Sequence, residues 1–287
     1  MTVRFVLVAV AAWAIVACSR SDGSQAAGLY AAGARRVVSL APSTTEALFA
    51  IGAGDRVVGR SRFCDFPPEA KALPIVGDVE PDIEAILELR PDLVVGVDGL
   101  TSARTADRLK ARGIPSWFSD PNSLTAIGGL LRDLGERTGH AKDADRLAQA
   151  LTARELAIER AVAGAPKPRV LFVVSVAPII AAGPDSFADE LIQDAGGENV
   201  VSDGGAWPAI GFERILDMDP DVILDASMGI EGTPRISGDA PGWTGLRAVR
   251  DGHVVPVHDE RILRAGPRIA EGLAVLARTL HPDTAIP

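Results

Sequence analysis

The stretch "DIEAILELRPDLVV", residues 82–95, returns as "GFERILDMDPDVIL" at 211–224, a constant offset of 129 residues with Glu, Ile, Leu, Pro and Asp in the same places. Most other differences exchange like for like, Leu89 for Met218 or Val94 for Ile223. In the first copy Asp82 can cap a helix whose apolar residues Ile83, Ile86 and Leu87 share one face. Pro91 ends that helix, and "LVVGV" follows as a continuous apolar strand of the kind buried on both faces of a parallel sheet. Gly211 and Pro220 bracket the second copy in the same way. A duplicated helix-Pro-Asp-strand segment decides the fold, because it divides the chain into two α/β units.

The repeat extends beyond that segment. "RRVVSLAPSTTEALFAIGAGDRVVG" (35–59) reads as a strand at 36–41, a helix from Ser43 and a short strand at Val57-Val58. Ser43 and Glu46 have capping-box spacing, so each side chain is expected to satisfy a free N–H at the helix start. "RVLFVVSVAP" (169–178) and "SFADELIQDAGGENVV" (186–201) repeat the scheme as strand, helix, glycine stop and short strand. Between the halves, 141–168 has no Gly or Pro before Gly164 and carries apolar residues at 147, 151, 158 and 162, which predicts one helix of about 22 residues. The expected fold class is α/β: two Rossmann-like lobes with mostly parallel sheets, at 35–140 and 166–287, joined by a single long helix within 141–165.

The 287 residues exceed the roughly 150 typical of one domain, in keeping with two lobes. A net charge of −9 argues against nucleic acid or an anionic membrane as a partner of basic patches. "MTVRFVLVAVAAWAIVACSRSDG" opens with one basic residue, Arg4, then an apolar run shorter than the roughly 20 residues of a spanning helix, the plan of an export signal over 1–17. Ile15-Val16-Ala17-Cys18 resembles the lipobox of bacterial lipoproteins, which implies cleavage before Cys18 and lipidation of its thiol. Residues 18–34 then form a lipidated Cys and a Ser/Gly/Ala tether, the localisation is periplasm or cell envelope, and the membrane is met only through the anchor. Cys64 is the one thiol left, so no internal disulfide is expected.

These features together resemble the helical-backbone (class III) periplasmic solute-binding proteins of ABC importers. "RFCDFPPEAKALPIVGD", "WPAIGFERILDMDPDVIL" and "AGPRIAEGLAVLARTLHP" follow the 35–59 and 82–95 stretches in the order of the cobalamin-binding branch, and the likeness covers 35–282. The resemblance implies that a corrinoid, cobalamin, is captured between the lobes, with no catalysis and no cofactor. Its partners would be a permease dimer with ATPase subunits, and the protein itself a monomer. It also implies that Glu84 and Glu213, one per repeat, dock on arginines of the two-fold permease; the bland alternative is that each only complements a helix dipole.

The cleft is expected to gather residues at strand ends and helix starts. This nominates Ser43, Phe63, Phe66, Asp98, Trp207, His258 and Arg264, of which Phe63 and Trp207 match family positions that supply aromatic faces to the ring. Val79-Glu80 and Val97-Asp98 depart from the pattern, standing where the family carries Trp. Arg268 is read as a brace on the last helix, Asp65 and Glu69 as solvated, and Trp117, Phe172 and Trp243 as core. No G-x-S-x-G, H-E-x-x-H, C-x-x-C or P-loop is present, which argues against an enzyme and implies a separate ATPase. The four His are scattered, so no metal site is expected, and the only Tyr is Tyr30 in the tether, which weighs against haem. A ferric siderophore remains the alternative ligand, since Arg60, Arg62, Arg235 and Arg264 are suited to an anionic chelate. A surface adhesion or signalling lipoprotein of the same fold is the other class of function.

Overall fold

The computed structural model describes residues 33–99, 102–227, 236 and 242–287. The export signal, Cys18, Tyr30 and Arg235 lie outside the described residues. In chain order the elements are β1 (Val37–Ser39), α1 (Pro42–Ala50), β2 (Val57–Arg60), α2 (Ile83–Glu88), β3 (Leu93–Val97), α3 (Ser102–Lys110) and β4 (Ser116–Ser119). The helices α4 (Leu124–Thr138) and α5 (Ala141–Val162) follow. Then come β5 (Arg169–Val176), β6 (Ile179–Ala181), α6 (Phe187–Asp194), β7 (Glu198–Asn199), α7 (Phe212–Met218) and β8 (Val222–Asp225). The described chain closes with α8 (Arg247–Arg250), β9 (Val254–Pro256), α9 (Glu260–Leu263) and α10 (Ile269–Leu280).

The first sheet has the order β2-β1-β3-β4 with every pairing parallel. The second repeats that plan as β7-β5-β8-β9, again parallel, and adds β6 antiparallel to β5. β7 pairs with Arg169 and Val170, whereas β6 pairs further along β5 from Val173 onward. The fold class is therefore α/β with two mostly parallel sheets.

The duplicated segment explains itself at atomic level. α2 and α7 begin 129 residues apart, and so do β3 and β8. Asp82 caps α2 by accepting from the Glu84 and Ala85 N–H groups, while Gly211 takes the N-cap position of α7 without a side chain. Arg90 and Asp219, at the same repeat position, both adopt a left-handed backbone (φ 45° and 39°) that turns the chain into Pro91 and Pro220. The following acid pins the neighbouring strand. Asp92 accepts from the N–H groups of Arg35 and Arg36 at 2.9 Å each, and Asp221 from that of Arg169 at 2.8 Å. Pro-Asp thus ends the helix and fixes the start of the central strand in each sheet.

One apolar core runs through both halves. It joins Val37 and Leu93 of the first sheet to Val170, Phe172 and Leu224 of the second, through buried residues of α4, α5, α6 and α10. α4 and α5 lie close because residue 135 is glycine; a Cβ there would collide with that of Ala144. Trp117 packs against this core, Phe172 is buried within it, and Trp243 is buried in a smaller cluster of the second half. Cys64 is a buried free thiol.

The capping box expected at Ser43 and Glu46 does not form. Pro42, which has no N–H to lose, occupies the first helical position, Ala41 is the N-cap, and no side chain caps it. Glu46 therefore stands two residues past the position from which it would reach the N-cap amide.

Candidate functional site

Freed from the cap, Glu46 becomes the centre of an ionic cluster that joins the two halves. Its side chain is 2% exposed. Arg268, the N-cap residue of α10, donates through Nε to Oε2 at 2.8 Å and through Nη2 to Oε1 at 2.7 Å. Arg264, just after α9, donates to Glu46 Oε1 at 3.3 Å, Asp65 Oδ1 at 2.9 Å and Glu260 Oε1 at 2.7 Å. Burial opposes ionisation of Asp65, but the Arg264 guanidinium outweighs it and holds the carboxyl below its ordinary range. The Glu46 carboxylate likewise holds Arg268 in its charged form. Ser43 is buried at the same junction, facing Gly266. Asp65 is thus ion-paired rather than merely solvated, and Arg268 braces across the halves rather than only along its own helix.

The segment 61–66, which follows β2, runs beside this cluster. Arg60, 6% exposed, ties it down by donating to the carbonyls of Ser61 (3.0 Å), Arg62 (3.2 Å) and Lys71 (3.0 Å). Buried Cys64 lies 3.2 Å from Ser61 Oγ. With its backbone held, the segment presents Phe63, 50% exposed, and Phe66, 37% exposed. One face of Phe66 is already covered, because the Arg268 guanidinium stacks 3.7 Å from its ring centre. Phe66, Phe49, Leu147, Pro267, Arg268 and Glu271 border a cavity of about 480 Å³ at the junction of α1, α5 and the start of α10.

The structure thus brings Ser43, Phe66 and Arg264 together with Glu46, Asp65 and Arg268, and sets Phe63 on the adjoining segment. Trp207, Asp98 and His258 have other immediate neighbours. Trp207 is not at a strand's C-terminal end but closes a bend over 203–207, two residues before Ala209 bridges to β6, and there it is 39% exposed and meets Phe187 edge-on at 5.8 Å. The Asp98 carboxylate is occupied locally by the Gly99 N–H and the Ser102 hydroxyl at the start of α3. His258 is exposed after β9, two residues before Glu260. Sequence reasoning passes over Glu46 and Arg268 as site residues; the run of buried residues from Ser43 to Leu48 around a single Glu marks the first of them.

Glu84 and Glu213 both lie in the first turn of their repeated helices with exposed side chains. Arg112 reaches Glu84 at 3.3 Å, and Arg104 pairs with neighbouring Glu80. Among the described residues no group of His, Cys, Asp and Glu is arranged to hold a metal ion, and no helix is long and apolar enough to cross a membrane.

Comparison with known proteins agrees with this architecture. The chain is 31% identical over 258 residues, 87% of its length and 81% of the relative's, to the uncharacterized ABC transporter substrate-binding lipoprotein YvrC of Bacillus subtilis (strain 168). It is 30% identical over 244 residues, 84% of each chain, to the vitamin B12-binding protein of Yersinia pseudotuberculosis serotype O:3 (strain YPIII). Its fold matches the periplasmic heme-binding protein RhuT from Roseiflexus sp. RS-1 in apo form, with a TM-score of 0.76 and 29% identity over 87% of this chain and 99% of that one. The periplasmic binding protein family model matches residues 37–260, so the chain belongs to that family and is a substrate-binding protein of an ABC transporter.

Proposed function

We propose that this protein captures a flat tetrapyrrole-like macrocycle, a corrinoid of the cobalamin type, in the cleft between its halves and delivers it to the permease. The observation that carries the reading is the pairing of exposed aromatic faces with arginines already committed to other partners. Phe63 and Trp207 offer large apolar faces to solvent, while Arg264 is held by three acids and Arg60 by three carbonyls. Aromatic faces suit a ring studded with amides. A ferric siderophore would need those arginines free for its negative charge, so that alternative loses two of its four candidate contacts. Ser43, Phe66, Asp98, His258 and Arg264 complete the proposed lining, Phe66 with only one face left to offer. Haem is the second reading, favoured by the likeness to a heme-binding protein. Exposed His258, two residues before Glu260, has the chemistry of an axial ligand.

Glu84 and Glu213 are assigned to permease docking, one per repeat. Their support is their common place in the duplicated helices and their exposure. The lobes at 35–140 and 166–287, the joining helix within 141–165, cleavage after residue 17 and lipid attachment at Cys18 belong to the same proposal. The lipoprotein relative favours the last of these.

The test is titration of the soluble chain from residue 19 onward with cyanocobalamin, haemin and a ferric hydroxamate, followed by calorimetry and Trp fluorescence. One-to-one binding of cyanocobalamin that is lost in Trp207→Ala is expected. Binding of the hydroxamate alone would move the ligand to siderophores.

A further inference from the structure

The arginines around the 61–66 segment are unequal, and the inequality bears on which macrocycles the site accepts. Arg60 is buried on three carbonyls, and Arg264 and Arg268 are consumed by Glu46, Asp65 and Glu260. On the second half Arg214 pairs with Asp203. Arg62 differs from all of these. Its side chain is exposed and makes no hydrogen bond or ion pair with any described residue.

The backbone of Arg62 is nonetheless fixed on both sides. Its N–H donates to the Gly77 carbonyl at 2.9 Å, and its own carbonyl accepts from Arg60 at 3.2 Å. It immediately precedes Phe63, the most exposed aromatic of the segment. A free guanidinium on an anchored backbone, beside an open aromatic face, is equipped to meet a negative group hanging from the edge of a ring that lies on that face. Asp65, three residues on, does not compete for it, since it is held by Arg264.

We propose that Arg62 is a specificity-determining residue that selects planar tetrapyrroles carrying an anionic substituent. This rests on the reading of Phe63 as a ring-binding face. The substituent would be the phosphodiester of a complete corrinoid or the carboxylates of a haem, and the two sources are separable by experiment.

The experiment measures the affinity of the chain from residue 19 onward for cyanocobalamin against dicyanocobinamide, which lacks the phosphodiester, and for haemin against its dimethyl ester. The macrocycle that binds should do so about tenfold more tightly in its anionic form, the scale of one charge-assisted contact. The preference should shrink at high salt, fall within about twofold in Arg62→Gln, and survive in Arg62→Lys. The substituted side chain is exposed, so the fold should be unaffected. Binding of a macrocycle with equal affinity for both members of its pair, or a preference that persists in Arg62→Gln, overturns the assignment of Arg62 while leaving the ring-binding reading intact. Failure of all four compounds to bind overturns both.

Discussion

Removing the Glu46 carboxylate would strand the Arg268 guanidinium, which is only 22% exposed, and would take from Arg264 one of its three acids. Breaking one side of such a buried pair costs about 3 kcal/mol. Glu46→Gln should therefore lower the urea midpoint without changing the slope, and adding Arg268→Met should recover part of the loss. The partners of Glu46 lie 218 and 222 residues away in the chain, so nothing local announces them. The letters of a capping box were present, and the physics that overrode them was a single proline at the first helical position. By contrast the Asp82 cap was legible, because its acceptor and its two donors are contiguous in sequence. Trp207 shows the same limit as Glu46. Its identity as an exposed aromatic could be read, but its seat beside β6 could not, since that strand has no counterpart in the first repeat.

Where α5 meets α6, four carboxylates, Glu155, Glu159, Glu190 and Asp194, gather without an ion-pair partner among the described residues. Glu190 also accepts from the Leu124 N–H at the start of α4. Burial first, then the charges of Glu190 and Glu159, push Glu155 up to about 7. Burial first, then Glu159, Glu190 and Glu155, push Asp194 up to about 7. Both values exceed those of an unfolded chain, roughly 4. The folded protein thus holds more protons than the unfolded one between about pH 4 and 7, and stability falls as pH rises through that window. Asp65, Asp221 and Asp259 are shifted the other way by their Arg-linked hydrogen bonds, so their contribution is lost in acid below that window. The melting temperature should accordingly be higher at pH 5.5 than at pH 8. Glu155→Gln should raise it at pH 8 and leave it little changed at pH 5.5, as calorimetry across the range would reveal. The helices and strands of the repeated units were legible as elements, and α5 above all, because helical spacing and glycine stops are local signals. That acids would face one another across two helices was not, since only packing sets them together.

At the scale of the molecule, the duplication gives each half its own exposed acid on an equivalent helix, and a permease with two-fold symmetry would meet both at once. Glu84→Ala with Glu213→Ala should leave the affinity for cyanocobalamin unchanged in calorimetry and abolish association with the reconstituted transporter. Glu84 begins with Arg112 as a competitor, so the loss should be greater for Glu213→Ala alone than for Glu84→Ala alone. The two α/β halves were legible from the repeat, whereas their shared core was not. Periodicity tells which face of an element is buried but not which half buries it.

That shared core has a consequence for how the protein is made. α10 contributes Ile269, Leu273, Leu276 and Leu280 to the same apolar cluster that holds Val37 and Leu93. A ribosome releases residue 37 long before residue 280, so the early strands wait for a helix that arrives at the very end of synthesis. Were the chain exported unfolded, as an export signal over 1–17 would imply, a core completed by its late helix would help keep it threadable until it had crossed.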